Sequence, residues 1–133
     1  MTGNGDVITL TIPPDEGFDR IAHLVLGGLA VRLDVTFEHL EDLQLALDGL
    51  LEERGEDGEN ITVSVRVLGD ELETTVGPFE RGHLRAELDR EPRDHIGLRR
   101  VLETVVDNFD VNERDGAEWI ELRKSVQRVR RNG

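Results

Sequence analysis

Ile8, Leu10 and Ile12 alternate with Thr9 and Thr11, a period of two that predicts a strand. Pro13 and Pro14 stop it, because proline has no N–H to give a ladder. Over residues 18–33 the period changes. Phe18, Ile21, Ala22, Val25 and Leu29 make one helical stripe, and Leu24, Leu26 and Val31 widen the apolar surface beyond it. A helix that broad is either deeply buried or carries a second interface. Thr36 offers an N-cap oxygen to a second helix, with His39 where a capping box has Glu or Gln. Leu40, Leu43, Leu47, Leu50 and Leu51 form its buried stripe. The helix is expected to end near Gly55, and residues 56–59 read as a polar loop.

Ile61, Val63, Val65 and Val67 alternate with Thr62, Ser64 and Arg66, and Gly69-Asp70 is a hairpin turn. Leu72, Thr74 and Val76 form the return strand. Residues 77–94 read as largely irregular, with a short helix over residues 83–88. A third long helix is marked by Leu98, Val101, Leu102, Val105, Val106 and Phe109 at helical spacing. Asp115-Gly116 turns the chain into a last strand over residues 119–126, with Ile120 and Leu122 facing one way. The order is strand, two helices, hairpin, helix, strand. That predicts an α+β fold, a two-layer α/β sandwich with helices on one face of a mixed sheet. The 133 residues make one domain, with a core over about residues 7–126 and a basic tail over 127–133.

Composition narrows the functions. Hydrophobic residues are 37% of the chain and charged residues 34%, and no apolar run approaches the roughly 20 residues that span a bilayer. The start, residues 1–6, is polar and acidic, unlike a signal peptide, so a cytoplasmic location is expected. With no cysteine, disulfides, zinc-thiolate sites and thiol nucleophiles are excluded. The net charge of -13 opposes nucleic acid and acidic membranes and suits a partner with a basic face. The basic cluster Arg123, Lys124 and residues 128–131 reads as a contact arm or a solvated terminus. The histidines His23, His39, His83 and His95 lack metal-ligand spacing, although His83 and His95 could meet in space. No serine sits in a nucleophile elbow. No enzyme is legible in these residues alone.

One run is more specific. Residues 33–48 place the acidic pair Glu41-Asp42 ahead of Leu45-Ala46-Leu47-Asp48. That run resembles the approach to the ATP-site helix of the bacterial anti-sigma-factor serine kinases, members of the GHKL (histidine-kinase-like, Bergerat-type) ATPase superfamily. Residues 105–111 are similar to that family's passage out of its last helix, and residues 116–122 to its final strand. The resemblance covers about residues 7–126, and these motifs carry the fold rather than catalysis.

The resemblance implies a nucleotide site in three boxes, and each departs from the family pattern. The first carries a Glu and, four residues on, a Mg²⁺-binding Asn, which share a helix face. Here those positions are Gly49, without a side chain, and Glu53, a lone carboxylate. Asp48 and Glu52 share the spacing but point about 100° away. The second box is Asp-x-Gly-x-Gly, whose Asp accepts the adenine amino group. Here the Asp falls on Pro78 and the first glycine on Glu80, leaving Gly82. The third is a Gly-x-Gly that cradles phosphate on backbone N–H groups. Here only Gly97 stands, followed by Arg99 and Arg100, which could draw an anion.

The resemblance therefore implies a degenerate anti-sigma-factor/serine-kinase-like binding module in bacterial transcriptional or stress signalling. No cofactor is expected. The expected partner is a protein, a sigma factor or an anti-sigma antagonist, with no nucleic acid and no membrane. Relatives are often dimers, and residues 18–33 are the candidate homodimer surface. One alternative is a residual Mg-ATP-binding anti-sigma kinase using Glu53 and Gly82. A second is a small-ligand sensor using the emptied pocket. Phe79, with Leu84 or Leu88, is expected to fold over that pocket, keeping residues 77–88 ordered without a ligand.

Overall fold

The computed structural model describes residues 7–13, 25, 27–28, 35–53, 60–90 and 97–126. Five strands form one sheet in the order β1-β2-β3-β5-β4. They are β1 (Val7–Ile12), β2 (Ile61–Leu68), β3 (Glu71–Phe79), β4 (Asn108–Arg114) and β5 (Ala117–Ser125). Three helices with defined bounds accompany them: α1 (Phe37–Leu51), α2 (His83–Asp89) and α3 (Leu98–Val105). Helix is also present at Val25, Gly27 and Gly28; the rest of the expected helix over residues 18–33 lies outside the described residues, as does the tail 127–133.

The sheet is antiparallel at every described pairing, where the sequence reading expected a mixed one. The difference comes from β4, which that reading absorbed into the preceding helix. Val105 ends α3, and Asp107 turns the chain: its N–H donates to Arg123 O at 2.9 Å, and its carboxylate accepts the Ser125 N–H. Phe109 therefore faces inward from a strand rather than extending the helix stripe. The helix-like spacing of Val105 and Phe109 hid the alternation of Phe109 and Val111. Asp115 and Gly116, both at positive φ, close the tight β4–β5 hairpin. Two other boundaries also differ. β3 runs on through Phe79 into the stretch expected to be irregular, and α1 closes at Leu51 rather than near Gly55.

One sheet face is apolar. Val63, Val65, Leu72, Val76, Ile120 and Leu122 are each at most 3% exposed and join the α1 leucines Leu43, Leu47 and Leu50 in one core. The expected β2–β3 hairpin thus packs into the core beneath the helices. Thr36 caps α1 by accepting the His39 N–H at 3.4 Å. The opposite face is polar. Thr9 and Thr11 pair their hydroxyls with Ser64 and Thr62 across β1 and β2. Arg66, Glu73, Arg123 and Glu121 form a charged row, with Arg66 to Glu73 and Arg123 to Glu121 both at 2.6 Å. The hydrogen bond to Glu121, then its charge, raises Arg123 above the ordinary arginine pKa. Arg123 pairs with Glu121 and Glu73 on the sheet surface.

β5 also sends two charged side chains to the helix side. Lys124 Nζ donates to Val105 O at the end of α3 at 2.7 Å and pairs with Asp42 of α1 at 3.1 Å. Glu118 sits at the other end of the strand. At the β4 edge, Arg85 of α2 donates to Val111 O at 3.2 Å. Among the described residues, no helix is long and apolar enough to cross a membrane.

The strand register shifts between Val76 and Phe79, which pair with Ile120 and Glu118. One extra residue on β3 makes a bulge, and that bulge turns Phe79 to the inner face. Gly77 lies within it, against the Trp119 ring, and the Gly77-Pro78 peptide bond is cis. A Cβ at Gly77 would stand 2.5 Å from the indole. Gly77→Ala is expected to destabilise the protein by about 1–3 kcal/mol, the range for overpacking, measured as a lower urea midpoint at unchanged slope.

Candidate functional site

The positions singled out by the resemblance lie on α1, the end of β3, the α2 cap and the α3 cap. Gly49 is in the last turns of α1. A Cβ there would meet Leu98 Cδ1 at 3.2 Å, so the glycine lets α1 and α3 approach closely. That close packing stands beside a helix penalty of roughly 1 kcal/mol for glycine relative to Ala. Leu98, the first residue of α3, is buried and lies next to this glycine.

Glu53 follows the α1 C-cap and is mostly buried. Its Oε1 lies 2.9 Å from His83 Nε2 in the first turn of α2. His95, the neighbour expected for His83, lies outside the described residues, and Glu53 is the partner seen. The Glu53 carboxylate is thus engaged by an imidazole of the same chain. Among the described residues, no group of three or more His, Asp or Glu side chains could hold a metal ion.

Pro78 sits half-buried in the β3 bulge and offers no side-chain acceptor. Glu80 is exposed just beyond the strand, and its carbonyl accepts the His83 N–H at 3.0 Å. Gly82 caps α2 at φ 80, a conformation suited to glycine. Gly97 caps α3 with extended backbone and φ -73, so its geometry does not itself require glycine. Its carbonyl accepts the Val101 N–H, the ordinary first bond of a helix.

The arginines expected to draw an anion at α3 differ. Arg99 donates Nε to Leu88 O at 2.8 Å, approaches Asp89 and Glu103 at 3.6 and 3.9 Å, and lies over the Phe109 ring at 5.7 Å. It ties α2 to α3 and to β4. Arg100 is exposed.

Three apolar side chains anchor the segment from the end of β3 through α2. Phe79, Leu84 and Leu88 are 4%, 0% and 4% exposed and belong to the core. Glu118, absent from the positions the sequence pointed to, is the buried carboxylate that meets this segment. Glu118 is 1% exposed, and its Oε1 accepts the Leu84 N–H at 2.7 Å while Oε2 lies 3.6 Å from Arg85. Its signal was present: Glu118 shares the alternation of Ile120 and Leu122, which puts it on the inner face.

No protein-family model matches the chain. The chain is similar to the serine-protein kinase RsbW of Bacillus pumilus, at 27% identity over 98% of this chain and 92% of the relative. It is also similar to RsbW of Bacillus subtilis, at 26% identity over 87% of this chain and 84% of the relative. RsbW of Listeria monocytogenes is 32% identical over a shorter stretch, 53% of this chain and 49% of that protein. Among solved structures, the fold matches a crystal structure of RsbU and RsbW domains from Mycobacterium tuberculosis with a TM-score of 0.67 and 15% identity. That match covers 92% of this chain, which spans about a third (32%) of the other.

Truncating the aromatic anchor tests this packing. Phe79→Ala is expected to lose roughly 3 kcal/mol of unfolding free energy, the cost of emptying a buried aromatic site. The change should leave Mg-ATP affinity where it is in the parent protein, as titration calorimetry would read.

Proposed function

We propose that this chain, a kinase-like anti-sigma domain of the GHKL superfamily, acts by binding a protein partner and not through ATP. The single observation that carries this reading is the pairing of Glu53 with His83 at 2.9 Å. It ties up the side chain at the family's Mg²⁺ position.

The other positions support the same reading. Mg-ATP brings several negative charges, which need a cation held by the chain and donors aimed at phosphate. Gly49 packs against Leu98 and supplies no carboxylate to activate a hydroxyl. Pro78 supplies no acceptor for adenine. Arg99 is engaged with Leu88, Asp89 and Glu103. The residues present do not fit Mg-ATP, and we assign them no catalytic step.

Similarity to RsbW across nearly the whole chain supports a regulatory role in which the partner is a sigma factor or an antagonist of such an inhibitor. The net charge of -13 favours a partner with a basic contact face. A homodimer through residues 18–33 and a cytoplasmic setting belong to the same reading.

Two measurements on the full chain test it. Titration calorimetry with Mg-ATP and Mg-ADP is expected to give no binding tighter than about 1 mM, the weak end of the affinity scale. A tighter constant would return the chain to the nucleotide-binding kinases. In parallel, a purified sigma factor of the native host should bind without nucleotide, and with an affinity that Mg-ATP does not change. Binding that appears only with Mg-ATP would overturn the proposal.

A further inference from the structure

The helix layer covers the inner face of β4 only in part. Phe109 and Val111 pack against the core from that face, yet both are only partly buried. Beside them runs a groove of about 580 Å³, a size that receives ligands. α2 gives one wall with Leu88 and Asp89, and α3 gives the other with Arg99 and Glu103. Val106 joins Phe109 and Val111 in an apolar floor. Arg99 and Glu103 sit one position on from Leu98 and Leu102, about 100° round the helix. The groove therefore lies on a different flank of α3 from the one that meets Gly49. None of Gly49, Glu53, Pro78, Glu80, Gly82 or Gly97 lines it.

Its charge is lopsided. Four carboxylates line it, those of Asp89, Glu103, Asp107 and Asp110, against the two guanidinium groups of Arg85 and Arg99. Both guanidinium groups are already engaged. Arg85 faces the buried Glu118 at 3.6 Å and donates to Val111 O. Arg99 donates to Leu88 O and is shared between Asp89 and Glu103 at 3.6 and 3.9 Å, longer than a close charged pair. Asp110 makes no ion pair among the described residues, and it stands opposite Glu121, a like charge, in the β4–β5 register. The surplus is negative, as is the net charge of the whole chain, -13. An added strand is not what this edge takes, because Arg85 occupies Val111 O. An apolar floor under a carboxylate rim instead fits side chains, an apolar one below and cations beside it.

We propose that this groove docks a basic amphipathic segment of the protein partner. An apolar side chain of that segment seats on Phe109 and Val111, and its lysines or arginines meet Asp89, Glu103 and Asp110. The inference rests on the reading of the chain as a partner-binding domain and says where the partner is held. Burial of the apolar side chain supplies affinity, while the charges select the partner and speed the encounter.

Amide NMR of the isotope-labelled full chain tests it, with three short synthetic peptides as probes: lysine–leucine, lysine–serine and glutamate–leucine. The lysine–leucine peptide is expected to shift amides of α3, β4 and the end of α2. Its affinity should fall at least about tenfold in Asp89→Lys/Glu103→Lys, where two exposed rim charges are reversed. The control Glu41→Lys/Glu52→Lys makes the same charge change at exposed positions of α1 and its C-cap, and should stay within about twofold of the parent. Equal weakening in the control would overturn the proposal, since only overall charge would then matter. So would equal binding of either other peptide, absence of binding, or shifts centred outside the groove. Binding that appears only once residues 127–133 are removed would assign the groove to the chain itself and overturn it too. A purified sigma factor of the native host separates this inference from the reading beneath it. Unchanged affinity for Asp89→Lys/Glu103→Lys overturns the groove and leaves that reading standing. No binding to the parent chain counts against that reading, and the peptide titration still decides the groove.

Discussion

Apolar burial alone does not say where a helix layer sits on a sheet, because the hydrophobic effect has no direction. In this protein β5 supplies the direction. Its inner face is apolar at Ile120 and Leu122 and charged at Glu118 and Lys124. Glu118 meets an N–H at the start of α2, and Lys124 meets a carbonyl at the end of α3. Each charge has the sign that the helix terminus favours. Lys124 also reaches Asp42, so α1 is fixed by the same strand. One strand therefore positions elements drawn from three parts of the chain.

The region that resembles a nucleotide site is built around this frame. Gly49 and Leu98 bring α1 and α3 together, the β3 bulge turns Phe79 inward, and Arg99 joins α2 to α3. These are packing interactions of ordinary kinds, and they need no ligand to complete them.

Much of the fold was legible in the sequence because binary patterning is a local signal. The β2–β3 hairpin, the Thr36 cap, the leucine stripe of α1 and the Asp115-Gly116 turn follow from residues a few positions apart. β4 was not legible, because Val105 and Phe109 fit a helical period and the break at Asp107 depends on Arg123 and Ser125, far along the chain. The candidate positions could be placed by resemblance, but their partners could not. Nothing near Glu53 in sequence announces His83, thirty positions away, and nothing near Gly49 announces Leu98. Glu118 was readable from alternation alone, yet a charge in a strand suggests solvent until the helix it meets is in place.

The Arg85 contact to Val111 O has a consequence for how the molecule behaves in a crowd. β4 ends the sheet, and an exposed sheet edge is a template on which further strands can add. The tight β4–β5 turn gives an alternating ladder in which the Val111 carbonyl points away from β5, and Arg85 occupies it. A strand arriving from another molecule would have to displace that guanidinium before continuing the sheet. The exposed carboxylate of Asp110, on the same strand, adds repulsion between like copies. A side chain that helps to seat a helix thus also guards the fold against growing into a fibre.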